Sequence, residues 1–407
     1  MEKDKVKSNV RAFQFIPQFY TMINKLLTPV RIKEFLNDWT LQNYHWGKKI
    51  NINTGELPDT NGCLIAIIGV NEGRGSLQNS GCATGADIIR QHLYKLAVND
   101  YPLQVMDAGD VLVGETPEET YQNLKMVMEW FLGQQILPII IGGSQDVTIG
   151  QYAGYEFLGQ AINLMVIDER IDLDDPEYLP AARTWMQNIF NYEPKYLFNY
   201  SGIAYQTHFN SPEIIKAVDA LYFDAIRLGR IKENIQFAEP EVRDADILSI
   251  DIAAIRGADA PGHAHATPNG LSGEEMCQIM RYAGMSDKIT SVGIYEYNPM
   301  FDNQELTAQL IAQMIWYFVD GYYNRKSDYP IVSEKDFTKY IVNIADNEYD
   351  LTFWKSMKTG RWWVEVPFIV QQRFERHQLV PCAYEDYEAA VKNDVPEKWL
   401  RIFHKLG

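Results

Sequence analysis

The chain has 407 residues, 46% of them hydrophobic and 13% aromatic, so it can bury a large core in one domain with additions or in two domains. Its 54 acidic and 37 basic residues give a formal net charge of -17, which repels nucleic-acid phosphates and anionic membrane surfaces. This charge argues against nucleic acid as a partner.

Residues 1–58 are the first segment with a helical pattern, in VRIKEFLNDWTLQNYHW, and we expect an N-terminal helical extension there. The first residues, MEKDKVKSNVRAF, lack the run of about seven apolar residues of a signal peptide, and no segment approaches the ~20 apolar residues of a membrane span. The four widely spaced cysteines include no CxxC pair, which indicates neither a zinc knuckle nor a disulfide framework. We therefore expect a reduced, cytoplasmic protein without a membrane span.

Residues 59–325 alternate short apolar runs with amphipathic helical patterns. The runs CLIAIIGV, ILPIIIGG, INLMVID, ADILSID and ITSVGIYEYNP start at positions 63, 136, 162, 245 and 289. Helical patterns lie at 86–98, 118–134, 274–284 and 305–323. Continuous apolar strands alternating with such helices predict an α/β fold in three layers, with a parallel sheet between helices.

Residues 326–407 form a C-terminal extension that contains SEKDFTKYIV, TFWKSMKTGRWWVEVPFIV and a closing segment YEDYEAAVKNDVPEKWLRIFHKLG. The Trp-Trp pair of GRWWVEVP has two interpretations. We favour packing against the main domain, because large aromatic side chains are usually buried, and an exposed interaction surface is the alternative.

Polar residues follow the apolar runs, where the ligand sites of parallel α/β sheets lie. In chain order these strand ends read GGSQD at 142–146, DERID at 168–172, SIDIAAIRGADAPGHAHATPNGLSGEE at 249–275 and YEYNP at 295–299. We expect these segments to face a common pocket.

The order and contexts of these motifs resemble the ureohydrolase superfamily, which includes arginase, agmatinase and formimidoylglutamase. The resemblance covers most of residues 60–325, including the turn GCATGADIIR and the helix ELTAQLIAQMI. Through IRLG, DAPG, PNGL and RYAGMSDK it is closest to the bacterial formimidoylglutamase-like proteins. It implies an arginase-like three-layer fold, to which the two extensions are added, and assembly as a trimer or hexamer.

The resemblance also implies a chemistry in which two Mn²⁺ ions share a hydroxide that attacks a guanidinium or formimino carbon. Two bound cations lower the pKa of the shared water and orient it. Such cations prefer carboxylates and imidazoles as ligands.

Three of the six ligand positions that the resemblance implies have lost their ligand. Gln145 replaces the histidine of Gly-Gly-x-His, Arg170 replaces the central histidine of Asp-x-His-x-Asp, and Ala253 replaces the second aspartate of Ser-x-Asp-x-Asp. Gln145 offers only a neutral carbonyl, and Arg170 has a permanent charge and no lone pair, so we expect no standard dimanganese centre. The residual ligand positions are Asp168, Asp172 and Asp251.

Further site residues are implied by the same resemblance. Glu296 matches the glutamate that in arginases pairs with the substrate guanidinium, and His265 lies where arginases have a pocket-lining threonine. Together with Asp251, these two are the candidates for catalysis. The other expected pocket residues are Gln145, Asp146, Asp168, Arg170, Asp172, Ala253 and His263.

Arg170 has two interpretations. Converging aspartates repel one another, and a guanidinium among them would supply positive charge and directed hydrogen bonds. We therefore expect Arg170 to lie between Asp168 and Asp172, in the space of a missing metal. The alternative is that its side chain turns to solvent or to a neighbouring subunit.

The segment GHAHATP places His263 and His265 two residues apart at the mouth of the expected pocket. Two imidazoles near Asp251 would suit one divalent ion, but an HxH pair in a loop is more often a surface or hydrogen-bonding pair. We therefore expect no cofactor, or at most a single divalent metal such as Mn or Zn. In NEGRGS, Gly73 to Gly75 would suit an anion at a helix start, and we favour a plain turn.

Three functions remain open. The first is a degenerate ureohydrolase, a pseudoenzyme that keeps a carboxylate-lined pocket for a small guanidino or formimino ligand and acts in binding, assembly or regulation. The second is an active C–N hydrolase with a divergent or single-metal site. The third is a structural subunit whose extensions mediate self-association or contacts with protein partners. The lost ligands favour the first.

Overall fold

The computed structural model describes residues 17–31, 41–329, 334–344, 350–367 and 379–406. Within these residues, ten strands form one sheet: β1 Leu27–Thr28, β2 Asn51–Ile52, β3 Ile65–Val70, β4 Val105–Val111, β5 Leu137–Ile141, β6 Ile162–Ile167, β7 Leu197–Tyr205, β8 Asp224–Arg227, β9 Ile247–Asp251 and β10 Ser291–Tyr295. The strand order is β1-β4-β3-β5-β10-β9-β6-β7-β8, with β2 beside β4. The strands are parallel except for the β1 and β4 pair.

The five predicted apolar runs form five adjacent strands in the middle of this sheet, in the order β3-β5-β10-β9-β6. Every residue in these five strands is buried. Their apolar character is continuous because both faces of the sheet are covered.

Helices cover both faces. Their bounds are α1 Pro17–Leu26, α2 Ala86–Leu93, α3 Pro117–Gly133, α4 Thr148–Ala153, α5 Trp185–Phe190, α6 Pro212–Ala220, α7 Leu228–Glu233, α8 Ala238–Asp244, α9 Gly273–Met285, α10 Leu306–Tyr323, α11 Tyr384–Val391 and α12 Glu397–Leu406. Ile65 and Ile67 of β3 belong to one apolar core with α2, α9 and α10, whereas Ala66 and Ile68 belong to a second core with α3 and α5. The predicted three-layer α/β fold is confirmed.

The helix predicted at 86–98 ends earlier, at Leu93. The residues after it pair with the N-terminal segment: Trp46 N donates to Leu96 O at 2.9 Å, and His45 forms a β-bridge with Ala97. These contacts hold the backbone in a conformation that a helix would not allow.

The N-terminal segment contributes to the main sheet through β1 and β2, which both pair with β4. Of the helical pattern predicted in VRIKEFLNDWTLQNYHW, positions 32–40 lie outside the described residues, and 41–45 form a turn and a bridge. The boundaries at residues 59 and 326 stay a prediction. Among the described residues, no helix combines the length and apolar character needed to cross a membrane.

The C-terminal segment contains a separate antiparallel sheet, in the order β11 Phe337–Asn343, β12 Asp350–Ser356, β13 Trp362–Glu365 and β14 Leu379–Cys382. Trp362 and Trp363 are 6% and 1% exposed. The guanidinium carbon of Arg243, in α8, lies 4.3 Å from the Trp363 ring centroid, and Arg243 Nη2 donates to Trp362 O at 3.1 Å. The Trp-Trp pair therefore packs against the main domain, as predicted.

Candidate functional site

A cavity of about 330 Å³ lies where β6, β9 and β10 reach their carboxyl ends. Eight of the ten predicted site residues line it: Asp168, Arg170, Asp172, Asp251, Ala253, His263, His265 and Glu296. The chain turns sharply after β5 at Gly142 and Gly143, whose φ angles of 86° and 83° favour glycine. This turn brings Gln145 against the carboxylates of the cavity floor.

Gln145 is fully buried beside two carboxylates. The orientation of its carboxamide is assigned from its neighbours: with the nitrogen toward the floor, it donates to Asp172 Oδ2 at 2.9 Å and to Asp168 Oδ2 at 3.0 Å. In this orientation the amide nitrogen, rather than the carbonyl expected from the sequence, faces the two aspartates.

Arg170 does not lie between the two aspartates. Its Nε lies 3.3 Å from Glu169 Oε1, its Nη1 donates to Phe209 O at 3.0 Å, and its guanidinium carbon is 4.5 Å from the Phe209 ring centroid. Its contact with Asp168 is through the backbone, where Arg170 N donates to Oδ1 at 2.9 Å. The expected ion pair with Asp168 and Asp172 is wrong, because Glu169 and the aromatic face of Phe209 hold the guanidinium at the side of the cavity.

A different arginine supplies positive charge to the floor. Arg183 Nε lies 3.5 Å from Asp172 Oδ1, and Nη2 pairs with Asp174. Trp185 Nε1 also donates to Asp172, at 2.9 Å. The sequence places Arg183 and Trp185 in the run after Asp172. Neither could be predicted as a floor residue, because the sequence does not show that this segment returns to the cavity.

Burial is the largest influence on the pKa values of the three aspartates at the cavity floor. Burial, and then the neighbouring Asp172 and Asp251 carboxyls, raise the pKa of Asp168 well above its usual range. Burial raises the pKa of Asp172 to about 6 against the opposing effect of Arg183, and burial followed by Glu296 raises the pKa of Asp251 well above its usual range. The floor therefore holds protons that isolated carboxyls would lose at neutral pH.

Glu296 is held in a fixed orientation at the end of β10. Its φ of 66° is a left-handed conformation that is unfavourable for a residue with a side chain. Gln145 N donates to Oε1 at 2.9 Å, and Asn79 Nδ2 donates to Oε2 at 2.8 Å. Burial raises the pKa of Glu296 to about 7, although these two hydrogen bonds oppose the shift. Asn79 was not predicted, because it lies 217 residues from Glu296.

The two histidines of GHAHATP line the same cavity. His263 Nδ1 accepts from His265 N at 3.0 Å, and His263 Nε2 lies 3.9 Å from Glu296 Oε2. Burial, followed by the charges of His265 and Arg170, lowers the pKa of His263 to about 3, so this imidazole is neutral. Among the described side chains, no group of three or more His, Cys, Asp and Glu residues is arranged to hold a metal ion.

Asp146 is buried and is not among the residues that line the cavity. It accepts a hydrogen bond from Tyr121 OH and lies so close to Gly75 that an added Cβ there would be 2.0 Å from Asp146 Oδ1. In NEGRGS, Arg74 Nε donates to Glu72 Oε1 at 2.9 Å, and the segment forms a turn rather than an anion site.

The cavity mouth is apolar on one side. Leu77, Tyr178 and Leu179 line the cavity and are 73%, 74% and 40% exposed. A ligand would therefore meet carboxyl groups at the floor, two arginines at the wall and apolar side chains at the rim. This rim was not predicted, since Leu77 lies far along the chain from the other two.

The comparisons with known proteins agree on one family. The family model described as Arginase family matches residues 64–320. The formimidoylglutamase of Clostridium tetani is 27% identical over 300 residues, which cover 68% of this chain and 88% of the relative. The formimidoylglutamase of Lysinibacillus sphaericus is 23% identical over 312 residues, covering 73% and 96%.

Solved structures share the fold. Formiminoglutamase of Trypanosoma cruzi, solved with Mn²⁺, has a TM-score of 0.62 at 19% identity and covers 69% of this chain and 99% of its own. Formimidoylglutamase of Bacillus subtilis has a TM-score of 0.63 at 17% identity, covering 71% and 96%. At these identities the likeness concerns the fold alone.

Proposed function

Because the chain belongs to the arginase family and resembles formimidoylglutamases, we propose that it is a non-catalytic member that binds a small cationic ligand in its carboxylate-lined cavity. The ligand class is a guanidino or formimino compound. The role is binding, assembly or regulation rather than hydrolysis.

One observation carries this proposal: none of the three substituted ligand positions directs a lone pair to the cavity floor. Arg170 is bound to Glu169 and Phe209, Ala253 ends in a methyl group, and Gln145, with its amide assigned by hydrogen bonding, turns its NH₂ group to Asp168 and Asp172. Hydrolysis by two metal ions requires a full set of donors around both ions and a shared hydroxide. These residues do not fit a dimanganese centre. We therefore infer that the metal-bound hydroxide needed for hydrolysis does not form in this protein.

The floor supports the choice of a cationic ligand. Asp251 and Glu296 line the cavity, and both are buried. A guanidinium or formimino cation beside them would offset their mutual repulsion and donate directed hydrogen bonds. The neutral imidazole of His263 adds no opposing charge.

Calorimetric titration tests the binding function, with formimidoylglutamate, arginine and agmatine as the probes. We expect one of the three to bind with a stoichiometry of about one per chain, and we expect the double variant D251N/E296Q to lose that binding. The double variant Q309N/Q313N, which changes two exposed amides outside the cavity, is the matched control and keeps it. Absence of heat with all three probes contradicts the proposed ligand class.

The second candidate is an active hydrolase of linear amidines that uses one metal ion. Two observations favour it: His263 and His265 both line the cavity, and the Trypanosoma cruzi formiminoglutamase was solved with Mn²⁺. Metal analysis discriminates the two functions. Stoichiometric metal in the purified protein, lost in H263A/H265A together with turnover, would establish the hydrolase.

The terminal segments supply a further part of the proposal. Residues 326–407 contain a sheet with an apolar core of its own, and Ile341 on its first strand is 66% exposed. We propose that 1–58 and 326–407 are extensions of the 59–325 domain that mediate self-association or contacts with protein partners. Light scattering of the full chain and of a chain that ends at 325 tests this, since an unchanged mass per assembly would contradict it for the C-terminal segment.

A further inference from the structure

A second cavity, of about 400 Å³, differs in charge from the candidate functional site. Its lining includes three cationic side chains and one histidine, which are Arg227, Lys232, Arg256 and His208, and no carboxylate lines it among the described residues. Four other cavities in the same part of the chain are each lined by at least two carboxylates. A cleft lined by one sign of charge concentrates ligands of the opposite sign, and we call this one the basic cavity.

The basic cavity lies where β7 and β8 reach their carboxyl ends, beside the loop at 268–270 that follows β9. Ligand sites of parallel α/β sheets lie outside this edge. The basic cavity shares no lining residue with the carboxylate-lined cavity. It is therefore a separate place on the same edge of the sheet, with the opposite charge.

The pairing of β7 with β8 brings Tyr205 and Arg227 together. The register of the two strands shifts between Ile203 and Tyr205, where Ala204 has a φ of 71°, and this shift sets Tyr205 opposite Arg227. Burial raises the pKa of the Tyr205 hydroxyl and the charge of Arg227 opposes that shift, so the guanidinium lies near the hydroxyl. Arg227 forms no ion pair with a carboxylate among the described residues, which leaves its charge available to a ligand.

The other two cations are held at the cavity wall by carboxylates that do not line it. Lys232 Nζ lies 2.7 Å from Glu275 Oε2, and Arg256 Nε lies 2.9 Å from Asp259 Oδ2. Each of these carboxylates also accepts a hydrogen bond from a backbone N–H at the start of α9. Arg256 donates to Asp259 through Nε, and its two Nη groups have no acceptor in the part of the chain that the structure describes.

We propose that the basic cavity is a second ligand site and that it binds a phosphate group. Guanidinium groups match the oxygens of a phosphate with paired N–H donors, and a lysine adds a point charge. This inference goes beyond the proposed function, because the ligand is opposite in charge to the guanidino or formimino compound.

The size and the remaining lining favour a phosphate carried by a small organic molecule. Small-molecule sites have volumes of about 300–1,000 Å³, and the basic cavity falls within that range. Tyr205, Leu228 and Pro268 line it as well and provide apolar surface for the organic part of the ligand. A free phosphate ion would leave this surface without a contact.

Three substitutions test the site. R227Q removes a cation that has no carboxylate partner to lose, so the fold should be kept, and R256Q removes the second guanidinium. The matched control is R230Q, because Arg230 lies three residues after Arg227, is 54% exposed, pairs with Glu233 and does not line the basic cavity. Circular dichroism checks that each variant is folded, and R227Q decides the result if R256Q does not fold.

Isothermal calorimetry at low ionic strength measures binding, with glucose 6-phosphate, inorganic phosphate and succinate as probes and KCl of equal ionic strength as the blank. We expect one glucose 6-phosphate to bind per chain. The dissociation constant should rise about tenfold or more in R227Q and in R256Q, because each variant loses a hydrogen bond to a charged group. R230Q should bind like the wild type.

The probes separate the sources of the phosphate group. Tighter binding of glucose 6-phosphate than of inorganic phosphate supports an organic phosphate, and equal affinities support the phosphate site with the free ion as its ligand. Three results overturn the inference: neither phosphate probe binds, succinate binds as tightly as both, or R227Q binds like the wild type. None of these results depends on hydrolysis or on the ligand of the carboxylate-lined cavity.

Discussion

At the scale of single residues, the side chains of Arg170 and Gln145 take their directions from contacts made far along the chain. The guanidinium of Arg170 stacks on Phe209, and the amide of Gln145 faces Asp168 and Asp172. Phe209 lies 39 residues after Arg170, so the partner that decides the direction of the arginine is not visible in the local motif. Side-chain direction depends on such long-range contacts.

The charge of Glu296 makes cation binding depend on pH. Burial raises its pKa to about 7, so the carboxyl is ionised at pH 8 and protonated at pH 6. We expect the affinity for a bound guanidinium probe to fall roughly tenfold between these pH values, because the ionised fraction falls about tenfold for a group of this pKa. Calorimetry at pH 8, 7 and 6 measures this change.

The variant E296Q is the comparison for this pH dependence. It should bind more weakly than the wild type at pH 8 and lose the part of the pH dependence that comes from this carboxyl. The exposed E305Q variant should behave like the wild-type protein in affinity at pH 8. Wild-type affinity that is constant or rises toward pH 6 would exclude Glu296 as the group that meets the cation.

At the scale of elements, the five continuous apolar strands were predictable and β4 and β7 were not. In β4, the sequence VMDAGDV has two aspartates in a fully buried strand. Buried Arg90, from α2, pairs with Asp107 at 2.9 Å and with Asp110 at 2.6 Å. Arg90 lies 17 and 20 residues away from these aspartates. A local sequence pattern shows that the aspartates are charged but not that a distant arginine pairs with them, so β4 could not be predicted as a buried strand.

The segment between β6 and α5 brings Arg183 to the floor, and we expect R183A to lower the free energy of unfolding by about 1–3 kcal/mol at pH 8. Arg183 lowers the pKa of Asp172, which burial raises to about 6. Its stabilising effect on that carboxylate is therefore present above pH 6 and is lost as the pH falls through 6.

Chemical denaturation at pH 8 and at pH 5 measures the difference between wild type and R183A. The difference should be larger at pH 8. The matched control is R230A, whose side chain is 54% exposed and pairs with Glu233, and it should change stability little at either pH. An R183A effect that grows toward pH 5 would contradict the assignment to Asp172.

At the scale of the whole molecule, the chain combines a three-layer domain with a separate antiparallel sheet that packs on α8. The contact depends on Arg243, which is 5% exposed, stacks on Trp363 and pairs with Glu239 at 2.9 Å. Composition and aromatic content predicted burial of the Trp-Trp pair. They did not predict its arginine partner, since Arg243 and Trp362 are 119 residues apart.

We expect R243A to destabilise the protein by about 3 kcal/mol, since it removes a buried cation that pairs with Glu239 and donates to the backbone carbonyls of Trp362 and Cys382. The C-terminal sheet should become the first site of cleavage in limited proteolysis. The variant R256A, whose side chain is 44% exposed, is the control and should be cleaved like the wild type. Equal cleavage of R243A and wild type would show that this contact does not hold the C-terminal sheet.

The initial rate of formimidoylglutamate hydrolysis at saturating Mn²⁺, measured for the wild-type protein and for D251A, shows whether this arginase-family chain binds without hydrolysing. We expect both rates to equal the rate without protein. A wild-type rate above that background that is abolished in D251A would contradict it.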